Sequence, residues 1–312
     1  MNHENRKKGN ENPIKNVNYR MRKYLIGFVL LGTIHQTNGQ QIASLVGPNK
    51  EIDPYHYTVV KRAEFKQAAV SSAHPLASMV GAAMMKKGGN AFDAAIATQL
   101  VLAVVFPNAG NIGGGGFLLA RKTNGELIGI DYREAAPEKG SRDMYLDKNG
   151  NAQLNLSQHG HLASGIPGTI AGLFASHAYA KLPFEVLIQP AIDIAAKGFV
   201  LTEKEAASIN SIKDAIARFS TQPTAFYRPN RWRVGDTLIQ KELAHTLERI
   251  QKEGALGFYG GKTADLIVAE MERGRGIISH SDLKNYTAKQ REPIVFNYRG
   301  HEVVSFAPPS SG

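Results

Sequence analysis

"NAFDAAIATQLVLAVVFPNAGNIGGGGFLLARKTNGELIGIDYR" (Asn90–Arg133) carries the decision about the fold. Asn90 suits a helix N-cap, and the Ala-rich run from Ala91 to Phe106 is apolar on every side, the mark of a buried helix rather than a surface one. After a Gly-rich stretch, "FLLARK" and "LIGIDYR" read as strands on either side of Thr123-Asn124-Gly125, and Asn-Gly between two such runs is a strong hairpin signal. Upstream, small and apolar residues alternate from Leu76 to Met85 and stop at Gly88-Gly89, predicting a second buried helix. Two such helices beside a hairpin require a layered fold with a covered centre.

Outward from this stretch, helical spacing recurs at Pro167–Lys181, Phe184–Lys197, Glu203–Phe219, Thr237–Lys252 and Lys262–Arg273, most ends being marked by Gly or Pro. "IVFNYR" and "HEVVSF" around Gly300 form another expected hairpin, and "QAAVSSA" (Gln67–Ala73) a short buried strand. Helices flanking hairpins, without regular strand–helix alternation, indicate an α+β protein and not a doubly wound parallel sheet. Residues 41–66 are polar and aperiodic and read as a lead-in, with the domain proper spanning residues 67–312. The last strand leads into "APPSSG", a loop that normally precedes another element, so the expectation is a domain cut at Gly312.

Composition is that of an ordinary globular protein, with 43% hydrophobic and 21% charged residues over 312 positions. The net charge of +10 is no case for nucleic acid, because residues 1–40 alone hold seven Lys or Arg against two Glu. There, Arg22 and Lys23 precede the apolar run Tyr24–Ile34 and then polar "HQTNGQQ", the layout of a secretory signal, with translation starting at Met1 or Met21. That run is too short for a stable membrane span, which needs about 20 residues, so the expected location is periplasmic or secreted. The absence of cysteine excludes disulfides, thiolate nucleophiles and Cys-ligated metals.

Five places in the chain invite chemistry. "GNIGGGGF" (Gly110–Phe117) either offers backbone N–H groups to an anion or forms a tight turn; its glycines precede a strand, the reverse of the dinucleotide fingerprint. "GGKTAD" (Gly260–Asp265) lacks the first glycine of a P-loop, since position 256 is Leu256. His159 and His161 are two histidines in a polar loop without the further ligands of a metal site, and Trp232 is either a stacking platform or a packing anchor. No cofactor is expected. In "DYREAAPEKGSRDMY", Arg133 stands at the outward end of a strand among Asp131, Glu134 and Glu138. Its guanidinium suits bidentate capture of a substrate carboxylate, or an internal salt bridge to one of those neighbours.

Taken in order, "SSAHPLAS", "GGNAFDAAIA", "FPNAGNIGGGGFLL", "DYREAAPE", "SGIPGTIAGL", "GFYGG" and "PPSSG" resemble the large subunit of gamma-glutamyltransferase, from about Gln67 to Gly312. The resemblance implies an N-terminal nucleophile hydrolase, an αββα layered sandwich, present here in its large-subunit part. It implies a precursor that cuts itself, and a small-subunit Thr, with its own α-amine as base, that attacks the gamma-glutamyl amide of glutathione and related compounds. Water, an amino acid or a peptide then takes the glutamyl group. It matches Arg133 to the residue that binds the glutamyl α-carboxylate, leaves the glycine run as a buried turn, and places the nucleophile beyond Gly312, with no catalytic residue in this chain. Without the small subunit, core surface would be exposed. A cephalosporin acylase, a poly-gamma-glutamate-processing relative and a non-catalytic binding protein are the alternatives.

Overall fold

The computed structural model describes residues 64–311. The signal-like segment and most of the lead-in lie outside them. Helix α1 (Pro75–Lys86) is followed by α2 (Ala91–Val105), and the two pack closely, with Thr98 Oγ1 donating to the carbonyl of Ala77 at 3.3 Å. Asn90 caps α2 as its chemistry predicts. Its side chain accepts from the N–H groups of Phe92 and Asp93, while the Asp93 carboxylate accepts from Asn90 N at 2.6 Å. That carboxylate is fully buried and also accepts the backbone N–H groups of Lys181 and Leu182, which makes a buried charge tolerable.

Strands β1 (Phe117–Arg121) and β2 (Leu127–Asp131) pair antiparallel through the expected turn at Asn124-Gly125, where Gly125 takes φ 89°. Further helices follow: α3 (Leu154–Gln158), α4 (Thr169–His177), α5 (Phe184–Lys197), α6 (Glu203–Ser211) and α7 (Lys213–Phe219). The two-residue strands β3 (Phe199–Val200) and β4 (Thr237–Leu238) pair with each other. Next come α8 (Lys241–Glu253), α9 (Leu256–Tyr259), α10 (Gly261–Gly274) and α11 (His280–Asn285). Strand β5 (Lys289–Gln290) joins β2, giving a sheet of order β1-β2-β5, and β6 (Ile294–Tyr298) and β7 (His301–Ser305) form a separate hairpin.

The core lies where α2 meets α1, α4 and α5, with α8 against α5. Ile96, Leu100, Val101 and Val104 of α2, Leu187 and Ile188 of α5 and Leu247 and Ile250 of α8 are all essentially inaccessible. Each side chain of this size stabilises the fold by about 1.5–3 kcal/mol when fully buried. Ile128, Ile130 and Tyr132 form the sheet's contribution, packed against Phe92, Ala175 and Tyr179 from the helical side. One helical layer on one sheet is the α+β arrangement expected from the sequence.

Four expectations change. Gln67–Ala73 is not a strand: no partner strand pairs with it among the described residues, and Ala69–Ala73 instead line a cleft of about 620 Å³ beside α2. The single helix expected over Glu203–Phe219 is broken at Ile212 into α6 and α7, and the one expected from Thr237 begins only at Lys241, after β4. The glycine run is half-buried rather than buried, and no residue of Gly110–Gly116 has positive φ. Its glycines serve close approach: a Cβ on Gly115 would stand 2.4 Å from the Tyr132 carbonyl oxygen.

Candidate functional site

Beyond β2 the chain leaves the sheet, and the residues after Asp131 are fixed by specific hydrogen bonds rather than by strand pairing. Tyr132 points into the core, 5% exposed, with its hydroxyl directed to Gln99 Oε1 of α2 at 3.2 Å, and burial raises its pKa. Asp131, also buried, accepts Arg133 N through Oδ1 at 3.1 Å and takes Arg291 through Oδ2, with Nε and Nη2 both at 3.1 Å. The nearest acid is therefore already satisfied by a cation 160 residues later in the chain.

The Arg133 side chain is exposed on the wall of a cleft of about 720 Å³ shared with Asp131, Glu134, Lys289, Arg291 and Pro309. Its guanidinium donates through Nη1 to the Pro309 carbonyl at 3.0 Å. Among the described residues no carboxylate lies within 4 Å of it, so the internal salt bridge open to it in sequence is not formed. A guanidinium has five N–H donors, and one carbonyl leaves most of them to the cleft.

Helix α11 runs beside this segment. Ser279 caps it in a capping box with Asp282, and Asp282 Oδ1 also accepts Glu138 N at 2.8 Å. Burial works to raise the Asp282 pKa, but the hydrogen bonds from Glu138 and Ser279 outweigh it and hold the carboxyl below its ordinary value. At the other end, half-buried Tyr286 donates its hydroxyl to the Arg133 carbonyl at 2.7 Å. Burial, with Asp131 and Glu134 nearby, pushes this phenol up to about 12, so it remains a donor throughout the physiological range. Its ring stacks on Tyr259 at 5.9 Å and 9°, and the Tyr259 hydroxyl donates to Pro167 O at 2.8 Å. Gly168 sits where these parts converge. A Cβ there would come within 2.0 Å of the Tyr132 carbonyl oxygen and 2.2 Å of the Tyr286 hydroxyl, so only glycine fits.

The other motifs go elsewhere. His159 stacks on Phe219 at 5.4 Å, and His161 pairs with Glu270, Nε2 to Oε1 at 2.7 Å. Among the described residues no three His, Asp or Glu side chains converge as a metal-ligand set. Gly261 and Lys262 open α10 directly after α9, with no strand before them. Trp232 donates Nε1–H to Phe226 O at 2.8 Å and lies under the Arg228 guanidinium at 4.0 Å, as a packing anchor does. No helix of the described residues is long and apolar enough to cross a membrane.

Sequence reasoning singled out Arg133 but not Tyr286, Asp282 or Arg291, which the fold brings to the same cleft. The one signal available in advance was the Ser279-x-x-Asp282 capping box, which marks a helix start too short to stand out by periodicity.

Known proteins resemble the chain over most of its length. The gamma-glutamyltranspeptidase family profile matches residues 77–312. The glutathione hydrolase proenzyme of Escherichia coli (strain K12) is 39% identical over 295 residues, covering 94% of this chain and 50% of that protein. The crystal structure of Helicobacter pylori gamma-glutamyltranspeptidase superposes with a TM-score of 0.78 at 42% identity, over 80% of this chain and 72% of that one. A cephalosporin acylase from Bacillus halodurans is more distant, at 27% identity and a TM-score of 0.68, over 82% of this chain and 49% of that one. The chain spans about half the length of the curated relatives it matches.

Proposed function

From the premise that this chain belongs to the gamma-glutamyltranspeptidase family, we propose that it supplies the carboxylate-binding wall of a gamma-glutamyltransferase, a glutathione hydrolase, with Arg133 as the anchor. Its α+β fold is accordingly the large-subunit part of an N-terminal nucleophile hydrolase. The observation that carries the proposal is the state of Arg133: exposed in a cleft, unpaired with any carboxylate among the described residues, and held by its backbone on both sides.

In this reading the α-carboxylate of a gamma-glutamyl compound takes the N–H groups left free by Pro309, which fixes the glutamyl chain so that its γ-carbonyl faces the nucleophile. The nucleophile is the Thr at the start of the small subunit, freed when the precursor cuts itself, in the half of the family's length that this chain does not span. Its α-amine takes the hydroxyl proton, the hydroxyl oxygen bonds to the γ-carbonyl carbon, and the C–N bond breaks so that the amine leaves with that proton as a glutamyl ester forms. Water, an amino acid or a peptide then releases the ester. The small subunit also covers the exposed apolar face of β6, and Arg22-Lys23 with Tyr24–Ile34 direct export to the periplasm or beyond.

The test is steady-state kinetics of the complete reading frame with a gamma-glutamyl anilide. Arg133→Ala should raise KM by about 10- to 150-fold, the equivalent of one charge-assisted hydrogen bond of about 1.5–3 kcal/mol. Arg133→Lys, which keeps the charge but not the fork, should recover part of that loss. An unchanged KM in Arg133→Ala would overturn the assignment.

A further inference from the structure

The segment that carries Arg133 has two supports, and the outer one has a shape that suggests a task. On its inner side Ala135 and Ile166 exchange backbone hydrogen bonds, Ile166 N to Ala135 O at 2.8 Å and Ala135 N to Ile166 O at 3.3 Å. On its outer side the six-residue helix α11 grips the same stretch at both ends, Asp282 on Glu138 N and Tyr286 on Arg133 O. Within α11 the capping box fixes Asp282, and the stack on Tyr259 fixes Tyr286, the residue that follows its last turn. Tyr259 is itself bound to Pro167 O, beside the Gly168 that no other residue could replace. This chain of contacts ends on the carbonyl of the very residue whose side chain faces the cleft.

Resting on the reading of Arg133 given above, we propose that Tyr286 is a positioning residue for substrate binding, its hydroxyl locking the Arg133 backbone so that the guanidinium meets a carboxylate in one orientation. A long exposed arginine must give up rotamer freedom to bind, and a fixed Cα limits that cost to the side chain alone. If the carbonyl of Arg133 instead bonded to water, the peptide could rock about Asp131, and the two-pronged fit to a carboxylate would be lost in a fraction of the population. Asp282 serves the same segment from its other end and belongs to the same device.

The decisive experiment is a double-mutant cycle on the product of the complete reading frame, using Tyr286→Phe, which keeps the ring and its stack on Tyr259. The expected result is a rise in KM of roughly three- to tenfold, the size of one hydrogen bond, with kcat changed by less than about twofold. In an Arg133→Ala background the same substitution should have no effect on KM, because the group it positions is gone. A merely structural Tyr286 would give equal losses in both backgrounds, and that result overturns the proposal, as does an unchanged KM in Tyr286→Phe alone. Asp282→Asn, run in the same cycle, decides the question if Tyr286→Phe yields too little folded protein. Should Arg133→Ala itself leave KM unaltered, the reading of Arg133 fails and this proposal with it. An Arg133 effect without a Tyr286 effect sinks the positioning role alone.

Discussion

Ten of the fifteen residues of α2 are buried, whereas all five residues of β6 are exposed, Phe296 at 47% and Tyr298 at 57%. Both segments are apolar, so composition alone does not place a residue inside. Neighbours do. Helix α2 touches α1, α4 and α5, while among the described residues the only strand paired with β6 is β7, in a two-stranded sheet marginal by itself in water. The difference separates a part of the domain whose apolar side chains are covered from one whose apolar side chains meet solvent.

The comparison breaks first at the core. Leu100→Ala should lower the unfolding free energy by about 2–5 kcal/mol, seen as a drop in urea midpoint at constant slope. A loss below about 1 kcal/mol would mean that α2 is not the centre of the structure. Asp93→Ala removes the buried acceptor of three backbone N–H groups and the reciprocal cap of α2, and about 2–3 kcal/mol should follow in the same assay.

A subtler contrast comes from Glu270 on α10, which accepts from Thr221 and Arg273 and pairs with His161. Burial opposes its ionisation, yet these partners bring its pKa from 4.5 down to about 2. A carboxylate depressed in this way contributes stability above its unfolded pKa and loses it as pH falls toward the folded value. The stability curve should therefore descend between about pH 4.5 and 2, and Glu270→Gln should flatten that limb while lowering the plateau above it. An unchanged acid limb would show that Glu270 is not a source of the dependence. The smallest effect belongs to β6: Phe296→Ser should alter the stability of this chain by less than about 0.5 kcal/mol, and a loss of several kcal/mol would show that the strand is packed after all.

Legibility in the sequence followed locality. Helix α5 ends where Pro183 and Gly198 predict, the Asn90 cap and the Asn124-Gly125 turn are read from a few adjacent residues, and the hairpin at Gly300 likewise. Where a neighbour distant in sequence decides, local reading failed. Gln67–Ala73 has the composition of a strand but no partner strand among the described residues, and the break at Ile212 carries neither Gly nor Pro. The site divides the same way. That a cation stands beyond the end of β2 is plain from "DYR", but the partner of Asp131 is Arg291, which leaves Arg133 unclaimed by that acid. Nothing near residue 133 could have disclosed that.

Asp93 also has a meaning for synthesis. Its two distant partners, Lys181 and Leu182, are made 88 and 89 residues later. At about 5–20 residues per second the ribosome delivers them on the order of 5–20 s after Asp93 itself. Until then the carboxylate must stay in water, and α2, apolar on every side, cannot settle into its final bed. The nascent chain therefore passes through an interval in which α2 lacks its partners, and this interval ends only when residues 181–182 and then α5 have been made.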